Sequence, residues 1–425
     1  MERERWIKNF DELAVTEGRR LVLEIAEAGY EAIGTEKVVE KNIKLENDTL
    51  LVQGEAFDLA KFKKIKVIGF GKCSSVAARA LEKILGDKIC EGIAISPKRI
   101  SCRQIQTFIG SHPKPSSANV AVGKKIYRMI QNSKEDELII VIVSGGGSAL
   151  LCVSEEECEQ EIRFYDEIIK YKETISRINT VRKHFPSLKG GELAKLAYPA
   201  TVLGLIFSDV PGDHFAEVAS GPTYRDETTL KAAQAIVEEH KLGNFKLVET
   251  PKEEKYFEKV RNFILVSNQI AVSAMKTKAE EFCLNAQIIS TELYDEVKEA
   301  AKKIFSVKEE NKIILAAGEP ELEITKKGGF GGRNTHLGLT AVSLGLVGEN
   351  DIFLTLASDG IDNSEAAGAL IDEKTLENID KFKIDINKAL ADFNSYPTLQ
   401  KAQGLIITGP TGSNVSDLML LLTKK

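Results

Sequence analysis

The residues best suited to chemistry are two cations on glycine-rich turns. Lys72 stands in Gly69-Phe70-Gly71-Lys72-Cys73-Ser74-Ser75, and Arg333 follows Gly328-Gly329-Phe330-Gly331-Gly332. Glycines let backbone N–H groups approach an anion closely, and a helix start adds partial positive charge to that of the lysine. An arginine at a helix start can clamp a carboxylate or phosphate bidentately and stabilise charge spreading in a transition state. The Lys72 turn is not a Walker A loop. That loop needs glycine six residues before the lysine and Ser or Thr after it, and Lys66 and Cys73 hold those positions. It is also a poor dinucleotide fingerprint, because Ser74 replaces the third glycine.

Further loops supply complementary groups. Ser144-Gly145-Gly146-Gly147-Ser148, after Glu137–Val143, is expected to cradle phosphate through N–H groups and serine hydroxyls. Asn179–Gly191 gathers Arg182, Lys183, His184 and Lys189, either as an anion site or as a solvated basic face. Asp209 and Asp213 could hold Mg²⁺ through oxygen ligands. Asp359 and Asp362 are candidates for binding a metal or accepting a hydroxyl proton. Thr408, Gly409 and Thr411 belong to a late loop dense in hydroxyls and turn residues. Each loop alone also reads as ordinary turn chemistry. Together they offer N–H cradles, basic side chains and carboxylates for a divalent cation, the parts that phosphoryl transfer uses. No GxSxG elbow, HExxH or Cys–His pairing suggests covalent or zinc chemistry.

Short apolar runs must position these loops. Strands are predicted at Ile65–Phe70, Leu138–Val143, Val202–Phe207, Phe263–Val266, Lys312–Ala316, Asp351–Ala357 and Leu405–Thr408, most of them Val- and Ile-rich without polar alternation. That is the pattern of parallel sheets buried on both faces. All but Phe263–Val266 run into a polar or glycine-rich loop, where open parallel sheets bind ligands. Helices are expected at Thr16–Ala32 and Ser75–Leu85. The charged stretch Leu247–Tyr256 marks a domain boundary, giving domains of 1–248 and 257–425, and Lys374–Asn394 reads as an insertion or surface helix.

The bulk numbers agree with an enzyme of small molecules. The 425 residues exceed the usual single-domain size, and 57 basic against 63 acidic side chains leave no surplus for a polyanion. Six cysteines without a CxxC pair read as reduced thiols. The charged N-terminal stretch has no apolar core, and no run of about 20 apolar residues occurs, so neither a signal peptide nor a membrane helix is expected. A cytoplasmic location follows as the expectation, with neither nucleic acid nor membrane as partner.

Seven segments, in order along nearly the whole chain, resemble the signature segments of class II glycerate 2-kinases, the group with a C-terminal MOFRL domain. They are GSHPKPSSANVAVG (110–123), VSGGGSALL (143–151), INTVRKHFPSLKGGELA (178–194), SDVPGDHFAEVASGPT (208–223), GGRNTHLGLTA (331–341), ASDGIDNSEAAGALID (357–372) and TGPTGSNVSDL (408–418). The chain departs from the group's usual GGRNQE at Thr335 and His336. The resemblance implies two Rossmann-like α/β domains with mostly parallel sheets and an interdomain cleft. It implies ATP and Mg²⁺, D-glycerate as acceptor, and 2-phosphoglycerate and ADP as products; a homodimer is an open expectation that the sequence itself does not show.

On that footing Lys72, Arg333 and Asp359 are the expected catalytic residues. Ser74, His112, Arg182, Lys183, Asn334 and Asp362 are expected to bind substrate. Ser144, Gly145, Gly146, Gly147, Ser148, Thr408, Gly409 and Thr411 are expected to bind ATP, and Asp209, Asp213 and Glu319 the metal. The rivals are an NAD(P)H-dependent hydroxypyruvate reductase, a kinase of another small hydroxy acid, and a non-catalytic anion sensor. The density of loop carboxylates speaks against the sensor. No ribose-binding acid follows the second strand, where Ser96-Pro97-Lys98-Arg99 stands.

Overall fold

The computed structural model describes residues 5–171, 173–212, 214–326 and 328–425. It divides into a continuous unit, Thr35–Leu265, and a split unit in which the chain up to Gly34 joins Val266–Lys425.

The continuous unit is built on a six-stranded sheet. Its strands, in spatial order, are Ile105–Ile109, Ile89–Ser96, Lys64–Phe70, Glu137–Ser144, Thr201–Phe207 and Val260–Val266. The first five pair in parallel. In chain order this is 3-2-1-4-5-6, the doubly wound arrangement, and it reverses between Lys64–Phe70 and Glu137–Ser144. Glu137–Ser144 is buried at every position, which explains its unbroken Val and Ile run. Phe70, Ile95, Val141 and Leu150 share one core with Ile126 from the helix Ser117–Ile130. A small antiparallel meander, Ile43–Glu46, Thr49–Val52 and Glu55–Asp58, adds to this unit.

The split unit carries a second six-stranded sheet, in the order Asn285–Leu293, Lys312–Gly318, Asp417–Thr423, Asp351–Ala357, Gly368–Ile371 and Leu405–Ile406. Here the expectation of mostly parallel strands needs correction. Only Asn285–Leu293 and Lys312–Gly318 pair in parallel. Asp417–Thr423 inserts antiparallel to both of its neighbours, and the two strands beyond Asp351–Ala357 are antiparallel as well. The run Asp-Leu-Met-Leu-Leu-Leu-Thr is buried at six of its seven positions, as a central strand requires.

The domain boundary also differs from the expected one. The helix Glu17–Ile33, with Thr16 as N-cap, buries Val22, Leu23, Ile25 and Ala26 at helical spacing. Arg19 on this helix makes a bidentate pair with Asp372 at 2.7 and 2.6 Å, and Tyr30 Oη donates to Ala357 O at 3.0 Å. These contacts tie the helix to the split unit, 353 residues away in the case of Arg19 and Asp372. The stretch Lys374–Asn394 contains two helices, Glu373–Lys381 and Ile386–Ala391. No helix among the described residues is long and apolar enough to cross a membrane.

Candidate active site

In the continuous unit, the loops after the first and fourth strands meet where the strand order reverses. Lys72 N donates to Gly145 O at 2.8 Å, and Cys73 N donates to Ser144 Oγ at 3.3 Å. Gly71 has φ +119°, and a Cβ there would lie 2.1 Å from Ser144 Oγ, so the contact requires glycine. Gly71 N and Ser74 N are also used within the protein, on Ile95 O and Gly71 O. The N–H cradle expected in this turn is therefore spent. What the turn presents is the exposed side chain of Lys72.

The Ser144–Ser148 turn lies beside it. A Cβ on Gly146 would meet the His112 ring at 2.8 Å and Lys72 Cγ at 3.4 Å, so lysine and imidazole both border the bare backbone. The helix Gly147–Leu150 is a single turn, and N–H groups of a first turn have no partner within their helix. On the other side, a Cβ on Gly145 would run into the Asp209 carboxylate at 1.9 Å. Ser148 Oγ bonds Ser220 Oγ at 2.8 Å, and Ser220 in turn donates to Asn179 Oδ1 at 2.9 Å. Ala219 and Ser220 hold φ of +51° and +58°, a left-handed backbone that costs energy outside glycine and clusters at functional sites.

His112 is exposed, yet partial loss of water around its ring, with repulsion from Lys72 and Arg182, pushes its imidazole down to about 4. It is neutral near pH 7, and the lysine and arginine carry the charge. Arg182 Nε lies 3.2 Å from Glu161 Oε2. Glu161 Oε1 and Glu157 Oε1 in turn hold the fully buried ammonium of Lys189, at 2.8 and 2.6 Å. Lys72, His112, Arg182, Asp209 and the glycine turn therefore form one constellation with a surplus of positive charge.

Several expected residues are committed elsewhere in this unit. Ser74 is buried and donates to Ile95 O at 2.7 Å, so its hydroxyl holds the turn and not a substrate. Lys183 is buried against Glu217 at 2.8 Å and Asp226 at 3.5 Å. His184 is buried too, with Nδ1 2.8 Å from Thr180 O. The segment is thus neither a solvated basic face nor a four-cation anion site, and Arg182 alone keeps partial exposure. Asp213 lies outside the described residues.

In the split unit the site gathers at the start of the helix Arg333–Ser343. Arg333 Nε donates to Asp417 Oδ2 at 2.5 Å, and Nη1 lies 3.6 Å from Glu319 Oε2. Burial works against the guanidinium charge, but Asp417 and Glu319 outweigh it and hold the Arg333 pKa above its ordinary value. Burial, with help from Glu319 and Asp362, raises Asp417 to about 7 against the pull of Arg333 and Asn334. Arg333, Glu319, Asp359 and Asp417 border one cavity of about 240 Å³. Asp359 uses Oδ1 to accept from Ile361 N at 2.9 Å.

Asp417 was not singled out from the sequence. Its signal lay in the Ser-Asp-Leu that opens the final apolar run. Other expectations in this unit are corrected. Asp362 is a buried helix cap that accepts from Asn334 N at 2.8 Å, Thr335 N at 2.7 Å and Thr335 Oγ1 at 2.8 Å. Asn334 is buried, and its Nδ2 donates to Asp417 Oδ1 at 2.8 Å, which makes it a brace for the carboxylate. Thr408 Oγ1 donates to Gly409 O at 2.8 Å and Thr411 Oγ1 to Ser358 O at 2.7 Å. Those hydroxyls close a turn against the Asp359 loop. Of the expected metal set, Asp209 belongs to the continuous unit and Glu319 to the split unit, and Asp213 lies outside the described residues. Among the described residues, Glu173, Glu239 and His240 are close enough to share an ion, but Arg177 already pairs with both carboxylates.

Residues 21–250 match the family model described as Domain of unknown function (DUF4147), and residues 312–417 match the MOFRL family. The chain is 30% identical to glycerate 2-kinase of Pyrococcus horikoshii, over 95% of this chain and 98% of that one. The crystal structure of glycerate kinase from Thermotoga maritima superposes with a TM-score of 0.83 at 28% identity, covering 95% of this chain and 99% of that one. A protein of Agrobacterium vitis named for hydroxypyruvate reductase is 31% identical, over 84% of this chain and 86% of its own. With both family regions present in order and full-length agreement in sequence and fold, the chain belongs to the glycerate 2-kinase family that joins a DUF4147 region to a MOFRL region.

Proposed function

We propose that the protein transfers the γ-phosphoryl group of ATP to the 2-hydroxyl of D-glycerate, yielding 2-phosphoglycerate and ADP, with Mg²⁺ as the divalent cation. The observation that carries this reading is the Lys72, Gly146, His112 and Arg182 constellation at the strand reversal. Two cations and a bare glycine backbone suit a small carboxylate, and the neutral imidazole can hydrogen-bond a hydroxyl.

The environment of Arg333 is different. Three carboxylates border its cavity besides Asp362, so a bare carboxylate would be repelled there. Phosphates that bring a divalent cation would not be. The donor set fits such an ion, because Glu319 and its neighbours offer hard oxygen atoms. When bound, Mg²⁺ would neutralise phosphate charge. Arg333 would stabilise charge on the transferring phosphoryl, Asp417 and Asn334 fix its guanidinium, and Asp359 lines the same cavity. No covalent intermediate on the protein is required.

The reductase reading finds little support. The N–H groups that would cradle a pyrophosphate at Gly71–Ser74 are occupied within the protein. The test is a pair of assays on one sample: ADP release with D-glycerate, ATP and Mg²⁺, and NAD(P)H consumption with hydroxypyruvate. Glycerate-dependent ADP release with 2-phosphoglycerate as product supports the proposal. NAD(P)H loss without ADP release overturns it.

A further inference from the structure

A second cavity of the split unit adjoins the one around Arg333 and differs from it in chemistry. It measures about 400 Å³, and its walls include Leu322, Ile324, Phe393, His336 and the glycine backbone of the 328–332 loop. Among the described residues, Arg333 is the one charged side chain that lines it. Arg333 and Asn363 border both cavities, so the two spaces are neighbours.

Part of the wall is aromatic. The rings of His336 and Phe393 lie nearly parallel, 23° apart with centroids at 5.7 Å. The glycine loop is zipped to the segment behind it: Gly329 N donates to Asp392 O at 2.8 Å, Phe330 N to Asn394 Oδ1 at 3.1 Å, and Tyr396 N to Phe330 O at 2.9 Å. A Cβ at Gly329 would lie 2.7 Å from Asn394 Cβ, and one at Gly331 2.2 Å from Ser395 Oγ. Side chains are therefore excluded at Gly329 and Gly331, which leaves bare backbone at those two positions. His336 is 7% exposed, and its Nδ1 finds no hydrogen-bond partner among the described residues. A buried polar atom left unpaired is a cost that a ligand can repay.

We propose that this cavity receives the purine base of the nucleotide, with the phosphates running past Arg333 into the carboxylate-lined cavity. The inference rests on the kinase reading above and locates its nucleotide. Glycerate is too small to fill a space of this volume, whereas an aromatic base matches its size and its aromatic wall. The assignment moves the nucleotide away from the Ser144–Ser148 turn and leaves that turn to the acceptor.

Photolabelling the intact protein with 8-azido-ATP, followed by peptide mapping, tests the location directly. Label is expected on segments 322–336 or 392–396, suppressed by excess ATP and not by D-glycerate. Steady-state kinetics of Ile324→Glu give an independent readout, since Ile324 is 59% exposed and its replacement leaves the core intact. The KM for ATP should rise at least tenfold, while the KM for glycerate and kcat stay within threefold. Label on the Gly145–Ser148 peptide, or an unchanged KM for ATP in Ile324→Glu, overturns the inference even if the enzyme phosphorylates glycerate. Label in the cavity without glycerate-dependent turnover sustains the nucleotide site and sinks the kinase reading instead.

Discussion

Arg333 Nε and Asp417 Oδ2 stand 2.5 Å apart, with the carboxylate buried at the head of the central strand and the guanidinium one-third exposed at the start of a helix. One edge of the arginine is thus held by protein, and the other is available to a ligand. Asp417→Asn keeps the shape and removes the charge that aims it. Misplacing a clamp by about 1 Å can cost about 10²-fold in rate. The kcat of Asp417→Asn should fall between about 10- and 100-fold with little change in Tm. Kinetics and thermal denaturation on the same sample check this, and unaltered kcat would remove Asp417 from the site.

Lys72→Ala and Arg333→Ala should each lower kcat/KM by about 10²–10³-fold, the usual cost of deleting one preorganised charge donor. Both side chains have solvent access, so far-UV circular dichroism and Tm should stay near wild type. Lys72→Ala should act mainly on the KM for glycerate, and Arg333→Ala mainly on kcat.

Lys189 offers a contrast, because its importance is to the fold. Its ammonium is fully buried between Glu157 and Glu161, and Lys189→Met would leave Glu157 buried without its cation and Glu161 with Arg182 alone. Breaking one side of such a group costs about 3–5 kcal/mol. Chemical denaturation should show a loss of that order. Glu161 also faces Arg182, so the KM for glycerate should rise in any Lys189→Met that still folds.

His112 makes a pH prediction whose sign is fixed by its environment. Its folded-state value is about 4, lowered by loss of water around the ring and then by Lys72 and Arg182. The unfolded chain titrates near 6.5, so between about 4 and 6.5 the unfolded state binds more protons. Its contribution to stability is present above that window and is lost as pH falls through it. An NMR titration of the imidazole should give a midpoint near 4 in the free protein, moving upward when glycerate supplies a negative charge. A midpoint near 6.5 would mean that the ring stands clear of both cations.

Much of this was legible in the chain. Buried parallel strands read as unbroken Val and Ile runs, and glycine-rich loops stand beside the Lys72 cluster of one unit and the Arg333 cavity of the other. Arg182 and Lys183, adjacent in sequence, show where legibility ends. One keeps its exposure and the other is consumed by Glu217 and Asp226, partners 34 and more residues away that spacing cannot reveal. Ser74 and Asp362 were claimed in the same manner, by a neighbouring strand's carbonyl and by the amides of a helix start. The strand Asp417–Thr423 could have been predicted from composition, but its place in the middle of the sheet depends on long-range pairing.

That central placement bears on how the protein is made. The continuous unit emerges from the ribosome as one stretch and can fold as soon as residue 265 is clear. The split unit cannot: its helix Glu17–Ile33 is synthesised first, and the strand that joins the two halves of its sheet is synthesised last. During the interval the apolar face of the helix has no sheet to cover it, and the edges of Lys312–Gly318 and Asp351–Ala357 lie open. The unit that carries Arg333 thus keeps apolar surface and strand edges uncovered for a longer part of synthesis than the continuous unit does.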